Sequence, residues 1–260
     1  MSDQTRIVTA LGKAEHDRIL VRGYDLNKDL LGKITFAQMT FLMLMGRLPT
    51  SDEARMIDSM LIVLVDHGMT AGAIAARLTY HSAPEALQGA VAAAILGAGS
   101  VHLGSSEWSA KMLQEASPRE KQEVDLDAIA TSTVDHYLAT KTPIPGIGHG
   151  LHTQGDPRAD RLFQIARETK VYGRYCDLLQ TISKIAESRR RRTLPVNVTG
   201  AIAAISSDMS LPWQMAKSFA LLGRALGSIA HIGEEIRTPM ARNISALIKS
   251  ALIYEPDKKA

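Results

Sequence analysis

Several features are scarce in this sequence of 260 residues, and each scarcity excludes a class of protein. Cys176 is the only cysteine, so neither an internal disulfide nor a zinc site built from several cysteines can form, and a reducing compartment fits. Aromatic residues make up only 5%, which disfavours a sheet-rich fold. The longest apolar runs, such as 88–100, are interrupted by glycine and shorter than the roughly 18 residues of a transmembrane helix. No membrane span is therefore expected.

Charge and terminal composition narrow the class further. The chain has 30 basic and 27 acidic residues, a formal net charge of +3, which weakly favours a small anionic ligand and gives nucleic-acid binding no support. The sequence starts with Met-Ser-Asp-Gln-Thr-Arg and no apolar core follows, so a secretory signal is not expected. We therefore predict a globular cytoplasmic protein.

Residues that favour helices dominate what is present. Alanine, leucine, isoleucine and methionine are abundant, and apolar residues recur at helical spacing. Helices are predicted over 35–45, 51–65, 83–96, 125–138, 159–170, 172–189, 200–208, 213–224 and 228–236. The segments 6–10 and 18–24 have strand-like patterns, which indicates a short N-terminal hairpin. The predicted fold class is all-α, with the strongly apolar helix 83–96 buried.

Changes in composition predict two domains. The segment 115–143 is more charged than the sequence before it, and 141–149 is so rich in proline and glycine that it cannot continue a helix. The predicted small domain spans 104–210. The predicted large domain combines 1–103 with 211–260.

Three histidines stand beside glycine-rich breaks and are candidates for chemistry. They are His67 in Asp-His-Gly, His102 after Gly-Ala-Gly-Ser-Val, and His149 in Ile-Gly-His-Gly. Glycine neighbours allow a ligand to approach the backbone closely, and histidine can donate or accept a proton near neutral pH. The alternative for each is a histidine that bonds a carbonyl group at a helix end.

Arginines form the second group of candidates. Arg158 follows Asp-Pro at a predicted helix start, and Arg224 lies in an otherwise apolar helix. Because a buried charge without a partner is very costly, Arg224 either pairs with a carboxylate of the protein or binds a ligand carboxylate. The run 189–192 closes a predicted helix, and it is either a solvated helix end or a clamp for an anion such as a phosphate.

Common catalytic motifs are missing. The sequence has no P-loop, no dinucleotide-binding Gly-x-Gly-x-x-Gly after a strand, no His-Glu-x-x-His and no Gly-x-Ser-x-Gly. Nucleophilic catalysis by serine or cysteine and catalysis by a metal therefore have no sequence support.

A series of short motifs resembles the citrate synthase superfamily. In chain order they are Arg22-Gly-Tyr-Asp25, Gly46-Arg-Leu-Pro49, His102, Gly148-His149, Asp156-Pro-Arg158, Asn197-Val198, Gly223-Arg224 and Ala230-His231-Ile232. The resemblance runs from about residue 18 to residue 242, nearly the whole chain. In size, and in the segments 66–68 and 195–200, the chain looks more like the short citryl-CoA lyase-type members.

The resemblance implies an all-helical dimer of two-domain subunits with the active site between the domains. It implies coenzyme A thioester and citrate-like ligands, with no metal and no covalently bound cofactor. His102 would bond the thioester carbonyl and its enol, and His149 would act at the hydroxyl or carbonyl carbon of the C4 acid. In a cleavage, His149 is the candidate for the base that takes the tertiary hydroxyl proton. Substrate contacts are implied for His67, Arg158 and Arg224, and Arg242 would match the arginine that is reached across the dimer and completes the partner's site, with Arg237 as the weaker alternative.

One departure from the family pattern concerns the catalytic aspartate. Thr199 stands where that aspartate follows Asn-Val, and threonine cannot act as a general base at neutral pH. Synthesis that starts with deprotonation of acetyl-CoA should suffer most. Cleavage could survive if water or another carboxylate delivers the final proton, and Glu107 and Asp208 are the candidates in the sequence.

A second departure concerns the loop 150–155, where many relatives carry basic residues for the coenzyme A phosphates. In this loop only His152 can serve that purpose. The tract that contains Arg190, Arg191 and Arg192 is the candidate for compensation.

The predicted function is a lyase that cleaves citryl-CoA, or a close analogue, to acetyl-CoA and oxaloacetate. The predicted partners are an acyl-CoA, a di- or tricarboxylate, and further copies of the chain in a homodimer or higher homo-oligomer. A condensing enzyme similar to citrate or 2-methylcitrate synthase is one alternative. A non-catalytic binding protein of the same family is the other.

Overall fold

The computed structural model describes residues 7–99, 103–120 and 125–256. The strands are β1 (Gly12–Ala14), β2 (Ile19–Val21) and β3 (Tyr24–Asp25). The helices are α1 (Phe36–Met45), α2 (Ser51–Ile62), α3 (Ala71–Ser82), α4 (Leu87–Leu96), α5 (Ser105–Ala116), α6 (Leu126–Ala139), α7 (Pro157–Glu168), α8 (Arg174–Arg190), α9 (Val198–Asp208), α10 (Ser218–Arg237) and α11 (Ala241–Ala251). The chain is mostly helical, which confirms the predicted all-α class.

The N-terminal strands form a small antiparallel sheet in the order β1-β2-β3. The predicted strand at 6–10 is wrong for residues 7–10, since the first strand starts at Gly12, while residue 6 lies outside the described residues. The predicted strand 18–24 is divided into β2 and β3. Arg22 and Gly23 both have positive φ, +49° and +86°, which suits the tight turn between two antiparallel strands.

Three further corrections concern the helices. α10 is continuous although two helices were predicted there, and α3, α5 and α11 were not predicted. The predicted gap at 225–227 is wrong, and a Cβ at Gly227 would collide with the carbonyl oxygen of Val65, so the glycine permits α10 to pack closely against the segment before α3. The prediction that 83–96 is buried is wrong, because Leu87 and Leu96 of α4 are exposed.

The chain divides into two compact units. Unit 1 comprises Met1–Leu61 and Ser105–Lys217, and unit 2 comprises Ile62–Gly104 and Ser218–Ala260. Two of these boundaries lie near the predicted ones, whereas residues 1–61 fall in unit 1. The large and small domains stay a prediction.

Each unit has its own helical core. In unit 1, α5, α7 and α8 all pack against α9, and all but two of the 11 residues of α9 are buried. In unit 2, α3, α4 and α10 pack against one another around a cluster of small side chains and Ile232. Throughout the described ranges, no helix is long and apolar enough to cross a membrane.

Candidate active site

The first turn of α9 is tied to the loop that carries His149. Asn197 caps the helix, since its Oδ1 accepts a hydrogen bond from the backbone N–H of Gly200 at 3.0 Å. The Nδ2 of the same side chain donates to the carbonyl oxygen of Gly148 at 2.8 Å. One amide therefore connects the start of α9 to the residue that precedes His149.

Glycines allow this loop to lie directly against the helix. A Cβ at Gly200 would collide with the carbonyl group of Gly146, and a Cβ at Gly146 would strike the side chain of Ser109. Gly146 also has a φ of +83°, a conformation that other residues rarely adopt. In the described residues, the buried Ser109 hydroxyl has no hydrogen-bond partner. The contact between loop and helix is therefore made by backbone atoms and fixes the position of His149.

Asp156 is the central anion of this site. The residue is only 1% exposed, and its Oδ1 accepts from the backbone N–H of Arg158 at 3.1 Å and from Nε of Arg158 at 2.9 Å. Its Oδ2 accepts from Nη2 of Arg158 and from the backbone N–H of Val198, both at 2.9 Å. Burial raises the pKa of Asp156, but these donors more than offset it and lower the pKa overall. The carboxylate therefore stays ionised and holds Arg158 at the start of α9.

His149 is held in one tautomer by the backbone. Its Nδ1 accepts hydrogen bonds from the N–H groups of Leu151 and His152, both at 3.0 Å. The neutral ring must then carry its proton on Nε2, a form that is inferred from these bonds. Nη2 of Arg158 lies 3.3 Å from Nε2. Because arginine only donates, two donors meet there, an arrangement that suits a carboxylate or carbonyl oxygen of a ligand.

Thr199 belongs to a chain of hydroxyl groups. Its Oγ1 donates to Oδ1 of Asn197 at 2.7 Å, since an amide oxygen can only accept. The Oγ of Ser105 lies 2.6 Å from the same Oγ1 and must therefore donate to it. The hydroxyl proton of Thr199 is thus bound within the protein.

Two carboxylates are candidates for the role of the family's catalytic aspartate, whose position is occupied by Thr199. Asp208 lies at the opposite end of α9, an axial rise of about 13 Å from Thr199. It accepts backbone N–H groups of Gly173, Tyr175 and Cys176, and so caps the start of α8. Its assignment as a proton source beside Thr199 is therefore wrong. Glu107 lies in the first turn of α5, two residues after Ser105, and stays a prediction.

The other predicted site residues are divided between the units. His152 is half-buried beside His149, with ring centres 4.6 Å apart, and the tract of three arginines ends α8 in unit 1. Unit 2 carries His67 in an exposed turn, Arg224 half-buried on α10 and Arg242 exposed in the first turn of α11. His102 lies outside the described residues. Unit 1 therefore brings together His149, His152, Arg158 and Thr199, and the roles of all these residues stay predictions.

Sequence reasoning missed Ser105 as a partner of Thr199 and the anchoring role of Asp156. The Asp-Pro pair signalled the capping of α7, but not the hydrogen bond from Val198. Among the described residues, no group of three or more His, Cys, Asp or Glu side chains is arranged to hold a metal ion.

Comparisons with known proteins place most of the chain in one family. The family model described as citrate synthase, C-terminal domain, matches residues 41–248. The structure of citryl-CoA lyase from Hydrogenobacter thermophilus is 34% identical, with a TM-score of 0.86, and the match covers 98% of this chain and 96% of that one. ATP citrate lyase from Methanothrix soehngenii, solved with citrate and coenzyme A, shares the fold at 19% identity with a TM-score of 0.77. That match covers 100% of this chain and 43% of the lyase.

Curated sequence relatives are named citrate synthases. Citrate synthase 2 of Bacillus subtilis is 27% identical over 193 residues, which is 73% of this chain and 49% of the relative. Citrate synthase of Deinococcus radiodurans is 28% identical over 205 residues, 77% of this chain and 52% of the relative. The chain spans about half the length of these curated relatives. Taken with the family model, these matches show that the chain belongs to the citrate synthase family and is similar over nearly its whole length to a citryl-CoA lyase.

Proposed function

We propose that this protein cleaves citryl-CoA, or a close 3-hydroxy-3-carboxyacyl-CoA, to acetyl-CoA and oxaloacetate. The observation that carries the proposal is the end-to-end similarity to citryl-CoA lyase at 34% identity. The arrangement of His149, Arg158 and Asp156 supports it, because the cleavage passes through an anionic oxygen that needs donors.

The proposed reaction breaks a carbon–carbon bond next to the tertiary hydroxyl group of citryl-CoA. The tertiary hydroxyl of citryl-CoA loses its proton, its oxygen forms the new carbonyl of oxaloacetate, and the adjacent carbon–carbon bond breaks. The electron pair of that bond passes to the acetyl thioester as an enolate, for which His102 is the proposed donor. Protonation of the enolate carbon then gives acetyl-CoA.

His149 acts at the tertiary oxygen in this proposal. The sequence suggested it as the base, but backbone N–H groups occupy Nδ1, so Nε2 of the neutral ring already carries a proton. We therefore assign to His149 the role of a donor that stabilises the developing alkoxide beside the cationic Arg158, while the hydroxyl proton passes to water. His67, Arg224 and Arg242 are proposed to bind substrate carboxylates, and His152 and the arginine tract 190–192 the coenzyme A phosphates.

The test measures the formation of oxaloacetate in a coupled assay. Purified protein is mixed with citryl-CoA, malate dehydrogenase and NADH, and the loss of NADH absorbance is recorded. We expect rapid loss with the wild type and a decrease of about 10²–10³-fold in His149→Ala, as for the loss of one oxyanion donor. The matched control is His136→Ala, an exposed histidine of α6, which should retain wild-type activity. No loss of NADH together with saturable binding of coenzyme A or citrate would contradict the proposal and favour another acyl-CoA or a non-catalytic role.

A condensing enzyme is the second candidate, because the curated relatives are named citrate synthases. Thr199 speaks against it, since its hydroxyl proton is bound by Asn197 and no carboxylate stands at this position. We expect the wild type to form no citrate from acetyl-CoA and oxaloacetate. Citrate synthesis that appears in Thr199→Asp would identify position 199 as the site of the family's base.

A second copy of the chain is the proposed partner of unit 2. On α10, Leu222, Leu226, Ile229 and Ile236 are exposed and fall on one helical face. Leu247 and Ile248 of α11 are exposed as well. Such apolar faces are typical of protein–protein contacts, and light scattering after gel filtration would measure the resulting mass.

A further inference from the structure

Unit 2 contains a fully buried cation, Arg77 of α3. Its Nη1 donates to Oε2 of Glu235 at 3.2 Å, and its Nη2 donates to Oε2 of Glu234. Nη2 also lies 3.0 Å from Nδ1 of His231. The exposed fraction of the Arg77 side chain is 0%, and its buried Nε has no hydrogen-bond partner in the part of the chain that the structure describes. One guanidinium thus joins three side chains of α10.

On one side, Glu235 extends the network to the start of α11. This carboxylate is 4% exposed and accepts backbone N–H groups of Met240 and Ala241, with Oε1 at 3.0 and 2.9 Å. Burial raises the pKa of Glu235, but these N–H groups and Arg77 lower it overall, so the group stays ionised. The pair therefore fixes the first turn of α11, which carries Arg242.

On the other side, His231 extends the network to the turn that carries His67. Nδ1 of His231 faces an arginine nitrogen, so it must accept, and the neutral ring carries its proton on Nε2. Nε2 donates to Oδ1 of Asp66 at 2.9 Å, and Oδ2 of Asp66 accepts the backbone N–H of Gly68 at 3.0 Å. The carboxylate of Asp66 therefore holds the turn around His67.

We propose that Arg77 and His231 are positioning residues for the two predicted substrate-binding side chains of unit 2 that lie outside α10: Arg77 acts on Arg242 through Glu235, and His231 acts on His67 through Asp66. This inference rests on the proposed function, which assigns those two side chains to the substrate. A contribution to stability alone does not account for this network. Replacing a buried ion pair with apolar residues often leaves the free energy of unfolding unchanged, and a buried Nε without a hydrogen-bond partner is unfavourable. What the network supplies is a single anchor for two separate segments of the chain.

Two substitutions of His231 test its two contacts separately, the one with Arg77 at Nδ1 and the one with Asp66 at Nε2. In His231→Gln, the amide nitrogen lies near the former Nε2 and can still donate to Asp66. In His231→Asn, the shorter amide retains a group near the former Nδ1 but loses the bond to Asp66. The matched control is His81→Asn, the same change at an exposed position of α3 in the same unit.

The experiment measures citryl-CoA kinetics and amide hydrogen exchange on the full chain. We expect His231→Asn to raise KM roughly tenfold with kcat changed much less, as for lost substrate binding. We also expect the Gly68 amide to exchange about tenfold faster, because its acceptor Asp66 is no longer fixed. His231→Gln should stay close to wild type, and His81→Asn should equal it.

Two results would overturn the inference. One is an unchanged Gly68 exchange rate in His231→Asn, and the other is an equal loss of kcat in the Asn and Gln variants without any change in KM. A wild type that does not cleave citryl-CoA would contradict the proposed function instead. The exchange comparison would then still show whether His231 holds the turn around His67.

Discussion

The two units fasten a helix start in the same way but use the arginine differently. In unit 1, Asp156 accepts the N–H at the start of α9 and pairs with Arg158, whose side chain is 22% exposed. In unit 2, Glu235 accepts the N–H groups at the start of α11 and pairs with Arg77, whose side chain is 0% exposed. A carboxylate at a helix start is stabilised by the helix dipole in both cases. The exposed fraction of the arginine side chain therefore distinguishes the two cases. Arg158 is a candidate ligand contact, and Arg77 is a structural anchor.

The two histidines beside these arginines strengthen the contrast. His149 and His231 both accept at Nδ1, so both neutral rings carry the proton on Nε2. Nε2 of His231 donates to the carboxylate of Asp66, whereas Nε2 of His149 lies beside Nη2 of Arg158, which is another donor. The same tautomer thus stabilises the fold in one unit and suits an anionic ligand in the other.

The largest effect on stability is expected when each of the two arginines is replaced in turn. Arg77→Met leaves Glu235 buried without its cation, and we expect a loss of about 3–5 kcal/mol in the free energy of unfolding. Arg158→Met should cost only about 1–2 kcal/mol, because the Arg158 side chain is 22% exposed and its charge is already partly in contact with solvent. Urea unfolding of both variants measures the difference. Equal losses would remove the distinction between anchor and ligand contact.

The next effect tests the close packing within unit 2. Gly227→Ala places a methyl group against the carbonyl oxygen of Val65, and we expect a loss of about 1–3 kcal/mol from overpacking. Gly89→Ala in α4 is the matched control, since its Cβ would meet only Ala86 at an ordinary 3.7 Å. We expect the control to stabilise the protein by about 0.4–1 kcal/mol. Calorimetric midpoints would show whether the two changes have opposite signs.

A smaller effect is expected in acid. The folded pKa of Asp156 is lowered, so its contribution to stability is complete above the unfolded pKa of about 3.9 and is lost as the pH falls through the folded value. Urea unfolding between pH 3 and pH 7 should therefore show a decline in acid that is shallower in Asp156→Asn. Parallel curves would mean that Asp156 has the same pKa in both states.

The smallest effect concerns the hydroxyl chain. Thr199→Val removes the bond to Asn197 and the acceptor for Ser105, and we expect a loss of about 1 kcal/mol in the free energy of unfolding. The rate of citryl-CoA cleavage should stay within about twofold, less than 0.5 kcal/mol in the barrier. A much larger loss of rate in the NADH assay would give the hydroxyl group a part in the reaction.

Local sequence patterns predicted the fold class and most of the side chains at the candidate active site of unit 1. Apolar periodicity located helices such as α7 and α8, and glycine beside histidine indicated the loop of His149. The interruption predicted between residues 224 and 228 was wrong, because Gly227 permits close contact with Val65 inside a continuous helix, which depends on tertiary packing. Ser105 and Thr199 are 94 positions apart, so their hydrogen bond depends on tertiary packing that no local pattern records.

The bound proton of Thr199 has a stereochemical consequence. If the proposed cleavage occurs and Glu107 is not the acid, the enolate of acetyl-CoA meets no ionisable group at position 199, and water supplies the third hydrogen of the methyl group. A fixed acid delivers a proton to one face of an enolate, whereas water that is not held in place reaches both faces. Cleavage of stereospecifically labelled citryl-CoA in isotopic water should therefore give acetyl groups of mixed configuration, and the Thr199→Asp variant should restore a single one.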